Sequence, residues 1–360
     1  MKHIARKLAG IFSLLAMIFL IFDTKNAVKG ASEGITLCLS SIVPTLFPFC
    51  VITKMLGNAI IGRQFPILSP LGRACGIPKG AESVFLLGFL GGYPVGAQVI
   101  SDACKSGAIS VSDGRRMLGF CSNAGPAFLF GILGGLFSNE KTLWAIFIIQ
   151  IISALIVGMI LPSKSKSEHV FLKRQSISFV QIVKESIITI SQVCGWVILF
   201  RIIISFLKRW FLWLLPSNIS IAVIGTLELA NGCIELYNIS THGIRYILSG
   251  VLLSFGGICV MMQTLSVTQA IGHGMYLVGK ILQAAISFLL CALSQYLLFS
   301  DDMYYNVPMM LYILILSIIA AMILYVYNRK KVVAFMLKML YNKKKDEGDP
   351  AYAVSQENAA

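Results

Sequence analysis

Three stretches of an otherwise apolar chain hold residues whose types and spacing could bind a small solute. They are Gly88-Phe89-Leu90-Gly91-Gly92-Tyr93-Pro94-Val95-Gly96, Cys121-Ser122-Asn123-Ala124-Gly125-Pro126, and Leu227-Glu228-Leu229-Ala230-Asn231-Gly232-Cys233-Ile234-Glu235. The chemistry on offer is recognition by backbone dipoles, amides and one carboxylate. In hydrocarbon each unpaired N–H or C=O costs several kcal/mol, so lipid-facing helices avoid such interruptions unless protein or water covers the exposed groups. Broken membrane segments therefore point to a site.

In the first stretch Gly88, Gly92 and Gly96 are spaced by four, which puts three bare positions on one helical face and lets another backbone come close. Pro94 lacks an N–H and its ring clashes with the carbonyl of Leu90. Two readings stay open here. One is a tightly packed, kinked helix. The other is the turn of a re-entrant hairpin whose freed backbone groups, with Tyr93 and Gln98, face a substrate.

Asn123 and Gly125 permit a left-handed turn, while Pro126 disfavours helix at Gly125 and cannot donate a backbone hydrogen bond. A half-helix beginning there would present N–H groups and a partial positive charge to a carboxylate or phosphate. A purely structural break is the alternative. In the third stretch Glu228 is a carboxylate within a spanning segment, which costs about 2.5–3.5 kcal/mol and normally faces a cavity, pairs, or binds protons. Glu228, Asn231 and Glu235 would form one polar stripe on a helix. Glu228 either touches substrate or a coupling cation, or pairs with Arg201 or Arg245.

Covalent and metal chemistry have little to build on. The nine cysteines are dispersed and never form C-x-x-C, and His3, His169, His242 and His273 lie far apart. Neither a disulfide framework nor a zinc site is suggested. An enzyme acting on lipid or wall precursors would need a nucleophile, base or metal set at one depth, and none is clustered in the sequence. The expectation is a protein without catalytic residues, metal or cofactor.

The elements that must position these stretches are membrane helices. Of 360 residues 57% are hydrophobic and 13% charged, and the mean hydropathy is +0.80, far from a soluble domain. Thr142–Leu161, Tyr276–Phe299 and Met309–Tyr327 each reach the roughly 20 residues that cross hydrocarbon. Leu8–Phe22 is shorter and follows Lys2, Arg6 and Lys7, with no small-x-small cleavage pattern close behind, which favours an uncleaved first span over a signal peptide. Ile35–Leu56, with Pro44 and Pro48, reads as an interrupted span. The net charge of +14 sits in loops and tails, notably 163–175 and 328–345, where it marks cytoplasmic faces and an anionic leaflet. No basic patch interleaved with aromatics suggests nucleic acid. Lys208-Arg209-Trp210-Phe211-Leu212-Trp213 reads as an interface belt.

The pattern recurs. Val84–Phe137 is punctuated by glycine and proline and precedes the span Thr142–Leu161. Ser186–Leu207, Ile221–Tyr237 and Ile244–Thr264 then precede Tyr276–Phe299. Weak echoes set Gly88 opposite Gly225, Arg116 opposite Arg245, and Asn123-Ala-Gly-Pro opposite Phe255-Gly-Gly-Ile, with Ile258 where a second proline would fall. Two halves, each with a broken segment before a long span, are what carriers built from inverted repeats display.

Gly-Gly-Tyr-Pro-Val-Gly at 91–96, Cys-Ser-Asn-Ala-Gly-Pro at 121–126 and Leu-Glu-Leu-Ala-Asn-Gly at 227–232 resemble the YlbJ-type sporulation integral membrane proteins. These belong to the nucleoside-recognition (Gate) domain group, which is similar to concentrative nucleoside transporters. The resemblance spans roughly Gly34 to Phe299. It implies a polytopic protein of the mother-cell-derived outer forespore membrane that moves dipicolinic acid toward the spore by alternating access. A nucleoside-type transporter and a non-transporting assembly factor are the alternatives.

The expected architecture is all-α and polytopic, with about 8–10 membrane segments, some re-entrant or broken, in two pseudo-symmetric repeats. The divisions are residues 1–33 (first span and loop), 34–162 (first repeat), 163–185 (basic loop), 186–300 (second repeat), 301–327 (last span) and 328–360 (basic, then polar tail). The expected substrate-binding residues are Gly92, Tyr93, Pro94, Gly96, Gln98, Asn123, Ala124, Gly125, Pro126, Glu228, Asn231 and Gly232. The expected partners are dipicolinate or a nucleoside-like solute, the bilayer and a second copy of the chain, with no nucleic acid.

Overall fold

The computed structural model describes residues 10, 13–14, 17–60, 63, 65–137, 139–161, 178–272 and 274–298. The span expected at Met309–Tyr327, the tail at 328–345 and the basic loop at 163–175 lie outside them. Of the expected first span, Gly10, Ser13, Leu14 and residues 17–22 are described, and all are helical.

The described residues are helical, with no strand among them. Five segments are long and apolar enough to cross a membrane: Thr24–Ile60, Glu140–Ile160, Phe179–Trp210, His242–Val267 and Tyr276–Gln295. Their outer faces carry large exposed apolar side chains, among them Phe49, Ile148, Leu199 and Val278. An apolar surface this extensive belongs against lipid. The chain is an all-α, multi-pass membrane protein.

The first rod joins α1 (Thr24–Leu37) to α2 (Val43–Ile60) through a π-helical turn at Cys38–Ile42. Pro44 and Pro48 were expected to interrupt this span, and they do not. The wide π turn sits just before Pro44, and α2 runs on through Pro48. The rod also passes through residues 33 and 34 without a loop.

After α3 (Ser69–Ala74) come two short helices, α4 (Glu82–Gly91) and α5 (Val95–Lys105). They fold back on each other. A Cβ on Gly96 would stand 2.9 Å from the Cα of Gly88, whereas eight residues of straight helix span about 12 Å. The bare face of these glycines is what lets the two backbones touch, so the hairpin holds over the kinked helix. Next, α6 (Val111–Cys121) and α7 (Pro126–Ile132) are parted by Ser122–Gly125, and the long α8 (Glu140–Ile160) follows.

The same order then returns. The long α9 (Phe179–Trp210) leads to α10 (Ser217–Leu227) and α11 (Leu229–Glu235), again a hairpin, since a Cβ on Gly232 would overlap the Cα of Gly225. Then α12 (His242–Phe255) and α13 (Gly257–Val267) are parted at Gly256, and α14 (Tyr276–Leu298) closes the series.

Packing ties the pieces into one body. α1 lies along α9, with Gly30 and Gly34 against the Cα atoms of Ile202 and Ile198. α14 packs on α6, α8 and α12. Its Gly279 meets Gly119 backbone to backbone, and Met275 N donates to Arg115 O at 3.1 Å.

Candidate functional site

The four breaks in the helices converge. Gly92, at φ +68°, holds the turn between α4 and α5 in a backbone shape that only glycine adopts freely. A Cβ there would come within 2.6 Å of Gly125 N, so the first break lies directly on the second. Tyr93 projects from the same turn to the fourth break, where a Cβ on Gly256 would be 3.0 Å from its Oη. Gly257 in turn faces the carbonyls of Gly225 and Thr226 beside the third break. Gly256 and Gly257, at φ +83° and +81°, make this contact possible.

Between the breaks and the α2 and α9 rods runs a cleft whose empty space, its open mouth included, is about 650 Å³. Gly92, Tyr93, Pro94, Ala124, Gly125 and Glu228 line it on one side, and apolar groups such as Phe49 and Val193 on the other. Six of the twelve residues expected to bind substrate are thus brought to one wall.

The other six lie elsewhere. Gly96 and Gly232 serve hairpin packing, as described above. Pro126 opens α7 at its first position, where a missing N–H costs nothing. Gln98 is half-buried on α5 outside the cleft lining. Asn123 and Asn231 stand behind the wall. The turn expected at Asn123 is not left-handed: Ser122 and Gly125 are both extended, and among the described residues only glycines have positive φ. The stretch is held open by side chains instead, because Asn123 Nδ2 donates to Phe120 O (2.7 Å) and Gln150 Nε2 donates to Ala124 O (3.1 Å).

What stands behind the wall is a buried cation. Lys280, on α14, is 1% exposed. Its Nζ donates to Asn123 Oδ1 (3.0 Å) and Gln283 Oε1 (2.7 Å) and lies 5.3 Å from the centre of the Tyr93 ring. Gln283 Nε2 also donates to Asn123 Oδ1 (2.8 Å). Among the described residues Lys280 forms no ion pair. Neutral amide oxygens and an aromatic face are all that offset its charge. Buried polar atoms without a partner cluster on the breaks nearby: Tyr93 Oη, Ser122 Oγ, Gln150 Oε1 and Ser254 Oγ.

Sequence reading passed over Lys280, Gln283 and Gln150. The signal was present, since Lys280 is the one charged residue between Tyr276 and Phe299, and an ionisable group within a span is a functional flag in itself.

Glu228, besides lining the cleft, caps a helix. It precedes α11 as its N-cap, so it is not part of a stripe with Asn231 and Glu235 on one helix. Its carboxylate accepts from Ala230 N (3.1 Å), Asn231 N (2.6 Å) and Asn231 Nδ2 (2.6 Å). Arg201 reaches it only through Asn231, whose Oδ1 accepts from Arg201 Nη1 at 2.8 Å. Arg245 is not its partner and donates instead to the carbonyls of Ile239 and Leu136. The negative charge in the cleft wall is therefore already turned toward the protein's own donors. Replacing Glu228 by alanine should destabilise the protein by about 1–2 kcal/mol through loss of this cap. Glutamine, which keeps one acceptor for Asn231 N, should cost less. Thermal unfolding of the two purified variants checks the order.

Compared with family models, with curated proteins and with solved structures, the chain matches none.

Proposed function

We propose that the protein is a transporter of a small anionic solute. The observation that carries this reading is the meeting of four helix breaks, three of them lining one cleft, backed by a buried lysine that makes no ion pair among the described residues. Interrupted backbone is tolerated at membrane depth where it lines a cavity, and carriers place their sites there. A cation held only by amide oxygens favours an anion over an uncharged nucleoside. The order of long helix, hairpin, broken helix and long helix, met twice, supports two repeats of inverted topology, with alternating access as one bundle moves against the other.

The resemblance to YlbJ-type proteins supplies the more specific identity: dipicolinate, carried from the mother cell across the outer forespore membrane. Dipicolinate is a flat dianion. Its ring suits an apolar cleft, and Lys280 behind the Tyr93 wall favours its negative charge from there.

The test is uptake of labelled dipicolinate by purified protein in vesicles, with a labelled nucleoside as control. Saturable entry of dipicolinate above that of protein-free vesicles is expected, with little entry of nucleoside. Nucleoside entry alone would replace the anion reading with the nucleoside one. Entry of neither would remove transport of both solutes.

A further inference from the structure

A second cleft opens between α1 and α9, toward the opposite end of α9 from Glu185, with about 740 Å³ of empty space including its mouth. It lies at the end of α9 next to the exposed aromatic side chains of Trp210 and Trp213, which places it at interface depth. Its lining holds four cations, Lys29, Arg201, Lys208 and Arg209, against the single carboxylate of Glu33.

The ion pairs around it leave one positive charge over. Arg201 pairs with Glu33 (2.6 Å), Lys208 with Glu235, and Arg209 with Asp23 (3.3 Å). Lys29 is exposed and forms no ion pair among the described residues. Asn26, also in the lining, accepts from Ser205 Oγ at 2.7 Å, yet its buried Nδ2 has no acceptor. A spare cation and an unused amide donor in one cleft suit a carboxylate. The cleft is also wired to the first one. Glu33, Arg201, Asn231 and Glu228 form an unbroken chain of hydrogen bonds, and Glu228 lines the central cleft.

We propose that this second cleft is an anion-binding vestibule, which holds a small carboxylate on its way to or from the central cleft and in which Arg201 exchanges Glu33 for the incoming carboxylate. Its place on a path rests on the transport reading above. The binding itself does not.

The test labels a cysteine in the cleft of the full-length protein. Ser205→Cys is a near-isosteric change, and the native cysteines are all buried except the half-buried Cys194. In phosphatidylcholine vesicles, an anionic methanethiosulfonate should modify the new thiol at least about threefold faster than a cationic one of similar size. That preference should fade in about 0.5 M salt, where charges are screened beyond some 4 Å, and on adding Lys29→Gln. Dipicolinate should slow the labelling saturably, and a nucleoside should not.

Equal or faster labelling by the cationic reagent, or no protection by dipicolinate, would overturn the proposal. Protection by added phosphatidylglycerol, with nothing further from dipicolinate, would assign the cleft to lipid headgroups and overturn it as well. Asn26→Cys provides the same readout if Ser205→Cys fails to accumulate. Protection without any transport would leave this site standing and remove the transport reading. Transport without protection would remove this site alone.

Discussion

Replacing Lys280 by methionine is expected to reduce dipicolinate uptake at least about 100-fold while leaving the protein as stable as before, or more so. The two effects have opposite signs for one reason. A charged side chain within a span costs about 2.5–3.5 kcal/mol, and here no carboxylate among the described residues returns that cost as an ion pair. Methionine fills a similar volume without a charge. Asn123 Oδ1 keeps Gln283 Nε2 as a partner, so one acceptor, Gln283 Oε1, is left over. Its loss costs about 1–3 kcal/mol, comparable to what removal of the charge returns. Initial uptake rates and thermal unfolding of the purified variant measure both sides. Wild-type uptake by the methionine variant would sink anion recognition by Lys280. A fall in uptake matched by a fall in melting temperature would assign the lysine to structure instead. Residues retained at a cost to stability are common where function demands them.

The second large effect is on folding. Gly88→Ala would set a methyl group on the carbonyl oxygen of Cys121, at the point where the α4–α5 hairpin, its bare face inward, rests on the end of α6. The obstacle is backbone on both sides, so no rotamer change relieves it. Overpacking typically costs about 1–3 kcal/mol and more where nothing can move, and the hairpin should leave its seat. We expect little folded protein in detergent, read as loss of the monodisperse peak on size exclusion. Gly107→Ala is the control. Unlike Gly88, Gly107 has positive φ (+72°), but a Cβ there meets nothing within 4 Å, so only a backbone penalty of about 1 kcal/mol is expected. Comparable yields from the two variants would count against the packing role of Gly88.

Much of this fold was legible in the chain because the bilayer permits so few solutions. Runs such as Thr142–Leu161 and Tyr276–Phe299 match α8 and α14 within two residues at each end, since hydrocarbon thickness sets the length and hydropathy the position. The breaks at Pro94 and Ser122–Gly125 were legible because proline and glycine mark places where a helix does not readily run on, whereas the one at Glu228 was read as continuous helix. Local shape was harder to read. Proline at 44 and 48 looked like a stop, but the rod runs on through both after a π turn. Asn123 looked like a left-handed turn, yet its side chain binds Phe120 O and Lys280, the latter 157 residues away in the chain. Such a partner leaves no local trace. Glu228 was found, but its place as an N-cap and not on a helical stripe was not, because capping depends on where the helix starts, and that start lies where Gly225 packs on Gly232.

Synthesis proceeds from the N-terminus, and this gives the placement of Lys280 and Gln283 a consequence for biogenesis. The polar edge formed by Asn123 and Gln150 is translated long before α14, the helix that supplies Lys280 Nζ and Gln283 Nε2 to it. Until then a ribosome-bound chain carries an unsealed polar seam within the bilayer. The closing of α14 onto Gly119 is thus the step at which that seam is covered.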